Sequence, residues 1–124
     1  MSDLPTIAIV DDNEAVRSAL ADLIEVLDMN CETFDGAESF LQAHRVGRFG
    51  CLISDVKMAG ASGLDLQARL QVIDPALPVI IVTSYGDLRT RALAMAQGAA
   101  AFLTKPVNGV VLVDQLEKAI RHLP

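Results

Sequence analysis

Four apolar runs in this chain stop on residues that can do chemistry. Asp11-Asp12 follows Thr6-Ile7-Ala8-Ile9-Val10, Asp55 follows Cys51-Leu52-Ile53-Ser54, and Thr83-Ser84 follows Val79-Ile80-Ile81-Val82. Lys105 stands just past the run over 99–103 and precedes Pro106. Each alone has an ordinary use. The Asp pair, or Asn13, can cap a helix. Asp55 and Thr83-Ser84 can serve in turns. Pro106 biases Lys105 toward extended backbone and can form a cis peptide. Brought together, they suggest something more specific. Converging carboxylates repel one another, and an all-oxygen acidic cluster suits a hard cation, Mg²⁺ or Mn²⁺. Mg²⁺ takes only one or two carboxylates and leaves room for a phosphate oxygen. A remaining aspartate, ionised at pH 7 with a reference pKa of about 3.9, can attack phosphorus without a general base and form an acyl phosphate. The cation, the Lys105 ammonium and the Thr83 hydroxyl with a backbone N–H would then meet the three equatorial oxygens of the transferring group.

The elements between these runs decide whether the residues can meet. Residues 6–10 read as a strand buried on both faces. Val16, Leu20, Leu23, Ile24 and Leu27 then recur at helical spacing. Residues 31–34 alternate like an edge strand. Asp35 with Glu38 resembles a capping box opening a helix with Ala37, Phe40, Leu41 and His44. Gly47 and Gly50 bracket a turn before the third strand. Leu64, Leu66, Leu70 and Ile73 mark a helix ending before Asp74-Pro75. Asp87 caps a helix to about residue 97, with Gly98 as its C′ residue, and Asn108 caps a last helix carrying Leu112, Leu116 and Ile120. Strict alternation implies right-handed crossovers and a parallel sheet. The expected fold is α/β: a doubly wound five-stranded parallel sheet of order 2-1-3-4-5, flanked by five helices, flavodoxin-like. Such sheets bind ligands beyond the carboxyl ends of their strands, which is where the polar residues gather.

Composition narrows the classes further. The chain has 124 residues, 52% of them hydrophobic; one domain over 1–124 is expected, with a core too large for disorder. A formal charge of −6 disfavours direct nucleic-acid binding and an anionic membrane surface. No apolar run nears bilayer length and no signal-peptide pattern opens the chain, so a cytoplasmic location is expected. Cys31 and Cys51 lack nearby histidines and read as small buried hydrophobes. His44 reads as a helix-surface residue and His122 as a C-terminal one favourable to the helix dipole.

The sequence resembles the response-regulator receiver domains of two-component signalling over essentially its whole length. The resemblance rests on Val10-Asp11-Asp12, Asp55, Thr83-Ser84 and Lys105-Pro106, with Phe102, Gly63-Leu64-Asp65-Leu66 and Gly98-Ala99 in support. The wording is similar to the nitrogen-fixation-type subgroup, whose fuller members add a helix-turn-helix DNA-binding domain. The resemblance implies that Asp55 is phosphorylated. It implies that Asp12, Asp55 and the Lys57 backbone carbonyl hold Mg²⁺, with Asp11 acting through water. It implies that Thr83 is the switch hydroxyl, that Phe102 turns inward when Thr83 moves, and that Lys105 pairs with the phosphate. It implies a histidine kinase, a phosphotransfer protein or a small acyl-phosphate as donor, and dimerisation or output docking through the fourth helix, fifth strand and fifth helix. The chain departs from the family at Ala59, where Pro is usual; Lys57 and Tyr85 could screen the acceptor. The fourth helix, rich in Ala92, Ala94 and Ala96, has a light anchoring stripe, which lowers the cost of moving it. Two other classes share the acidic pocket. One is a degenerate receiver acting only as an interaction module, favoured by failure to bind Mg²⁺. The other is a small Mg²⁺-dependent phosphohydrolase, favoured by steady turnover of a phosphoester.

Overall fold

The computed structural model describes residues 5–58, 60–84 and 86–121. Ten elements alternate along it. They are β1 (Thr6–Val10), α1 (Glu14–Val26), β2 (Asn30–Phe34), α2 (Ala37–Ala43), β3 (Phe49–Ser54), α3 (Gly63–Ile73), β4 (Val79–Thr83), α4 (Leu88–Ala96), β5 (Ala101–Thr104) and α5 (Gly109–Arg121). The strands form one sheet in the order β2-β1-β3-β4-β5, and every pairing is parallel. Fold class and strand order are as the alternation implies.

Period-two geometry splits the apolar strands between two cores. Ile7, Ile9, Cys51, Ile53, Ile80 and Val82 face α1 and α5, where Leu20, Ile24, Leu112 and Leu116 meet them. Ala8, Val10, Leu52, Val79, Ile81 and Phe102 face the other way, against Phe40, Leu66, Leu70 and Ala94 of the middle three helices. The central strands are therefore apolar on both faces through their middles, over 7–10, 51–53 and 79–82. β2, at the edge, has no fully buried residue. Phe34, Phe40 and Phe49 close that edge, with Phe34 edge-on to both partners at 5.5 and 6.0 Å between ring centroids. Phe40 is fully buried, which contributes about 1.5–3 kcal/mol.

Helix starts follow side-chain chemistry. Asn13 accepts from the Val16 N–H at 3.1 Å, and Asn108 accepts from the Val110 and Val111 N–H groups. Asp87 accepts from the Thr90 N–H at 2.7 Å, a bond that holds its carboxyl below the usual range. Ser62 and Asp65 form a reciprocal capping box on α3. Gly98, at φ +89, follows the Gln97 C-cap of α4.

Three expectations fail. Residue 36, not Asp35, is the N-cap of α2, and it offers no side-chain bond; Asp35 instead accepts from the Ser39 hydroxyl at 3.0 Å. Gly50 lies inside β3, whose strand begins at Phe49, so only Gly47, at φ +85, marks the turn. His44 is not a surface residue. Its side chain is 6% exposed and its Nε2 lies 2.9 Å from Asp74 Oδ2, joining the C-cap of α2 to that of α3. Ile73, the last residue of α3, is 44% exposed. Cys51 is buried and Cys31 half-buried, both as free thiols. Ala59, Tyr85 and His122 lie outside the described residues. Among the described residues no helix is long and apolar enough to cross a membrane.

Candidate functional site

Because the strands are parallel, their carboxyl ends open on one edge of the sheet. The chain is stitched together there by main-chain bonds just beyond the strands. The Asp11 N–H donates to the Phe34 carbonyl, the Asp55 N–H to the Val10 carbonyl, and the Lys105 N–H to the Thr83 carbonyl, at 3.2, 3.1 and 2.9 Å. These bonds carry strand register into the site, so the positions of Asp11, Asp55 and Lys105 are set by the sheet.

Side chains complete the arrangement. The Lys105 ammonium donates to Asp11 Oδ2 at 2.8 Å and to Asp55 Oδ2 at 2.9 Å. The other Asp11 oxygen accepts from the Asn13 N–H at 2.9 Å, and the other Asp55 oxygen from the Val56 N–H at 2.7 Å. Asp12 is exposed, yet one oxygen from each of Asp11, Asp12 and Asp55 lies within 4.8 Å of the others. Burial works against the charge of Lys105, but the hydrogen bonds it donates to Asp11 and Asp55, with the charges of those carboxylates, outweigh it and hold its pKa above the ordinary 10.5. Three carboxylates against one ammonium leave 1 − 3 = −2. Two like charges at 4.8 Å repel by about 3.5 kcal/mol at an effective dielectric of 20. An all-oxygen donor set with that residual charge fits a hard divalent cation such as Mg²⁺.

Thr83 is fully buried at the end of β4. The β4–β5 register pairs Ile81 with Phe102 and Thr83 with Thr104, which puts Thr83 and Phe102 on the same face of the sheet. Phe102 is already inward, 8% exposed in the core beside Ile81 and Ala94. Lys57, two residues past Asp55, is exposed. The Lys105–Pro106 peptide is cis.

Two contributors are not evident from residue types. The Arg17 guanidinium, from the first turns of α1, donates to the Asp11 carbonyl at 2.6 Å. Gly63 opens α3 against the Asp55 backbone. Its N–H donates to the Val56 carbonyl at 2.7 Å, and a Cβ there would stand 1.8 Å from the Asp55 carbonyl oxygen. The Ser62-x-x-Asp65 spacing is a legible signal for that helix start. Beside Lys105, an apolar groove of about 580 Å³ runs between Val16, Ala19 and Leu20 of α1 and Pro106 and Val107.

Known proteins are similar to this chain in sequence and fold. The response regulator receiver domain model matches residues 7–117. The chain is 36% identical over 116 residues to the transcriptional regulatory protein FixJ of Bradyrhizobium diazoefficiens, covering 94% of this chain and 57% of FixJ. It is 34% identical over 125 aligned residues to the response regulator protein TodT of Pseudomonas putida, covering 100% and 55%. Among solved structures, a receiver domain from Clostridium thermocellum superposes with a TM-score of 0.89 at 30% identity over 95% of each chain. The FixJ-N crystal structure superposes with a TM-score of 0.82 at 32% identity, over 100% of this chain and 98% of that one. The chain spans about half the length of the curated relatives it matches.

Proposed function

This chain belongs to the response regulator receiver domain family, and on that premise we propose that Asp55 accepts a phosphoryl group and that the change is read out on the face of α4, β5 and α5. Receiver domains are signalling modules rather than classical enzymes. The observation that carries the proposal is the Lys105 ammonium bridging Asp11 and Asp55 beside a third carboxylate.

The chemistry follows from the residues. Asp55 Oδ2 supplies the electron pair for a new O–P bond. The bond from phosphorus to the donor breaks, and its electron pair leaves with the donor, an imidazole nitrogen of a phosphohistidine or the oxygen of an acyl phosphate. Asp12, Asp55 and the Lys57 carbonyl would hold Mg²⁺, with Asp11 acting through water; when bound, the ion neutralises charge on the transferring group. Lys105 shifts its ammonium from the carboxylates to a phosphoryl oxygen. The added charge, about −1.5 to −2, favours a Thr83 hydroxyl turned toward it. The inward Phe102 then occupies the space beside Thr83, biasing the α4 side of the sheet by population shift.

The donor is proposed to be a histidine kinase or phosphotransfer protein. The apolar groove beside Lys105 supports a protein partner there, because a free small donor needs no such surface. The output is proposed to be control of transcription through an attached or partner domain, as FixJ and TodT are regulators by name. A homodimer through the α4–α5 face is part of the same proposal; exposed Leu88, Val110 and Val111 support it. Intact mass after incubation with Mg²⁺ and a small acyl-phosphate donor tests the chemistry. One phosphoryl mass should appear, require Mg²⁺, and vanish in Asp55→Asn. No gain in mass and no Mg²⁺ binding would leave an interaction module instead. Continuous release of phosphate from a phosphoester would point to the hydrolase.

A further inference from the structure

α3 and α4 are joined by side-chain amides that reach main-chain carbonyls in both directions. Gln67, buried in α3, donates from Nε2 to the Ala94 carbonyl of α4 at 2.9 Å. Gln97, the C-cap of α4, donates from Nε2 to the Leu64 carbonyl of α3 at 3.2 Å and to Gln67 Oε1 at 2.9 Å. Apolar packing holds α4 weakly. Ala94 is its one buried residue, while Leu88, Leu93 and Met95 are exposed. A helix with so little buried area takes its position largely from its polar ties. α3 is held differently. Its first residue, Gly63, bonds to Val56 and abuts the Asp55 carbonyl, and Leu66 and Leu70 are in the core. The amides therefore connect a helix fixed to the acceptor loop with one that is otherwise lightly seated.

We infer that Gln67 and Gln97 form a two-way clamp that holds α4 in its unphosphorylated position and so sets the balance point of the switch. The inference rests on the assignment of Asp55 as acceptor. Both are positioning residues and neither touches the phosphoryl site. Each donor meets one carbonyl of the facing helix, so sliding α4 by even part of a turn breaks both ties. The buried Gln67 amide would then lack a partner, which is costly. The clamp thus favours the present arrangement over any displaced one, and weakening it should enlarge the displaced population.

Gln97 is half-buried and tolerates substitution better than Gln67. Gln97→Ala removes the donor, while Gln97→Glu keeps the size and cannot donate. Hydrogen exchange over residues 88–97, without phosphodonor, should speed by about fivefold or more in both variants, the factor a single net hydrogen bond represents. Exchange in α1 should be unchanged. Titration with beryllofluoride and Mg²⁺, a stand-in for the phosphoryl group, should show binding tightened by up to the same factor. Unchanged α4 exchange in both variants would overturn the clamp. Faster α4 exchange with unaltered or weaker beryllofluoride binding would overturn its role in setting the switch. If beryllofluoride binds no form, wild type included, the acceptor assignment fails and the exchange measurement alone decides whether the clamp exists.

Discussion

Gly63→Ala and Gly109→Ala make the same chemical change at the first residue of a helix, α3 and α5 respectively, and should have opposite effects. At Gly109 an added Cβ meets only Leu23 Cδ1, at an ordinary 3.8 Å. The change there should stabilise by about 0.4–1 kcal/mol through the unfolded chain's lost freedom. At Gly63 the same gain is available, but the Cβ would lie 1.8 Å from the Asp55 carbonyl oxygen and 2.8 Å from its carbon. Relief needs a backbone shift of about 1.5 Å, and overpacking costs about 1–3 kcal/mol even where side chains can give way. Here the obstacle is main chain, held by the Ser54 hydroxyl at 2.9 Å and by the Asp55 N–H bond to Val10. The upper end of that range applies, so the net loss is about 2–3 kcal/mol, or a fall of roughly 10 °C in Tm. Urea unfolding of both variants beside wild type measures it. Phosphorylation of Asp55 should also slow in Gly63→Ala, since its carbonyl must move. A Gly63→Ala protein as stable as Gly109→Ala would refute the close approach of α3 to the acceptor.

Lys105→Met should bind Mg²⁺ several-fold more tightly by calorimetry, because the ammonium competes with it for Asp11 and Asp55; weaker binding would contradict that competition. The folded state raises the Lys105 pKa above 10.5. Its contribution is therefore intact below that value and lost as pH climbs through the raised one, so wild-type stability should fall more steeply than that of Lys105→Met on the alkaline side. Burial pushes the Cys51 thiol up to about 12, so a thiol reagent should modify Cys31 slowly in the native protein and reach Cys51 only on unfolding. His44→Ala should cost about 2 kcal/mol by leaving the buried Asp74 carboxylate without its partner, and adding Asp74→Ala should cost less than the sum.

The sequence carried the architecture because the central strands are apolar on both faces and stop on polar residues. Val10 before Asp11 and Ser54 before Asp55 mark strand ends as clearly as any turn. Caps made by Asn13, Asp87 and Asn108 were legible for the same reason: they bond within three residues. What escaped depends on distant partners. His44 looks like a surface residue until Asp74, thirty positions on, is folded against it. Gly63 looks like a loop glycine until α3 meets the Asp55 carbonyl. The Arg17 tie to Asp11 and the Gln67–Gln97 pair leave no local trace at all. At the start of α2 a local rule misled, because Ser39 took up the Asp35 side chain that a capping box would have used.

The bond from Lys105 to Asp11 spans 94 positions of chain, and that from Lys105 to Asp55 spans 50. During synthesis the acidic groups emerge long before the ammonium that balances two of them. A nascent chain with β1 and β3 already paired would carry their mutual repulsion until β5 was added to the sheet. The charge balance of this carboxylate cluster therefore arrives with the last strand, so a truncated or half-folded copy would lack the ammonium that bridges Asp11 and Asp55.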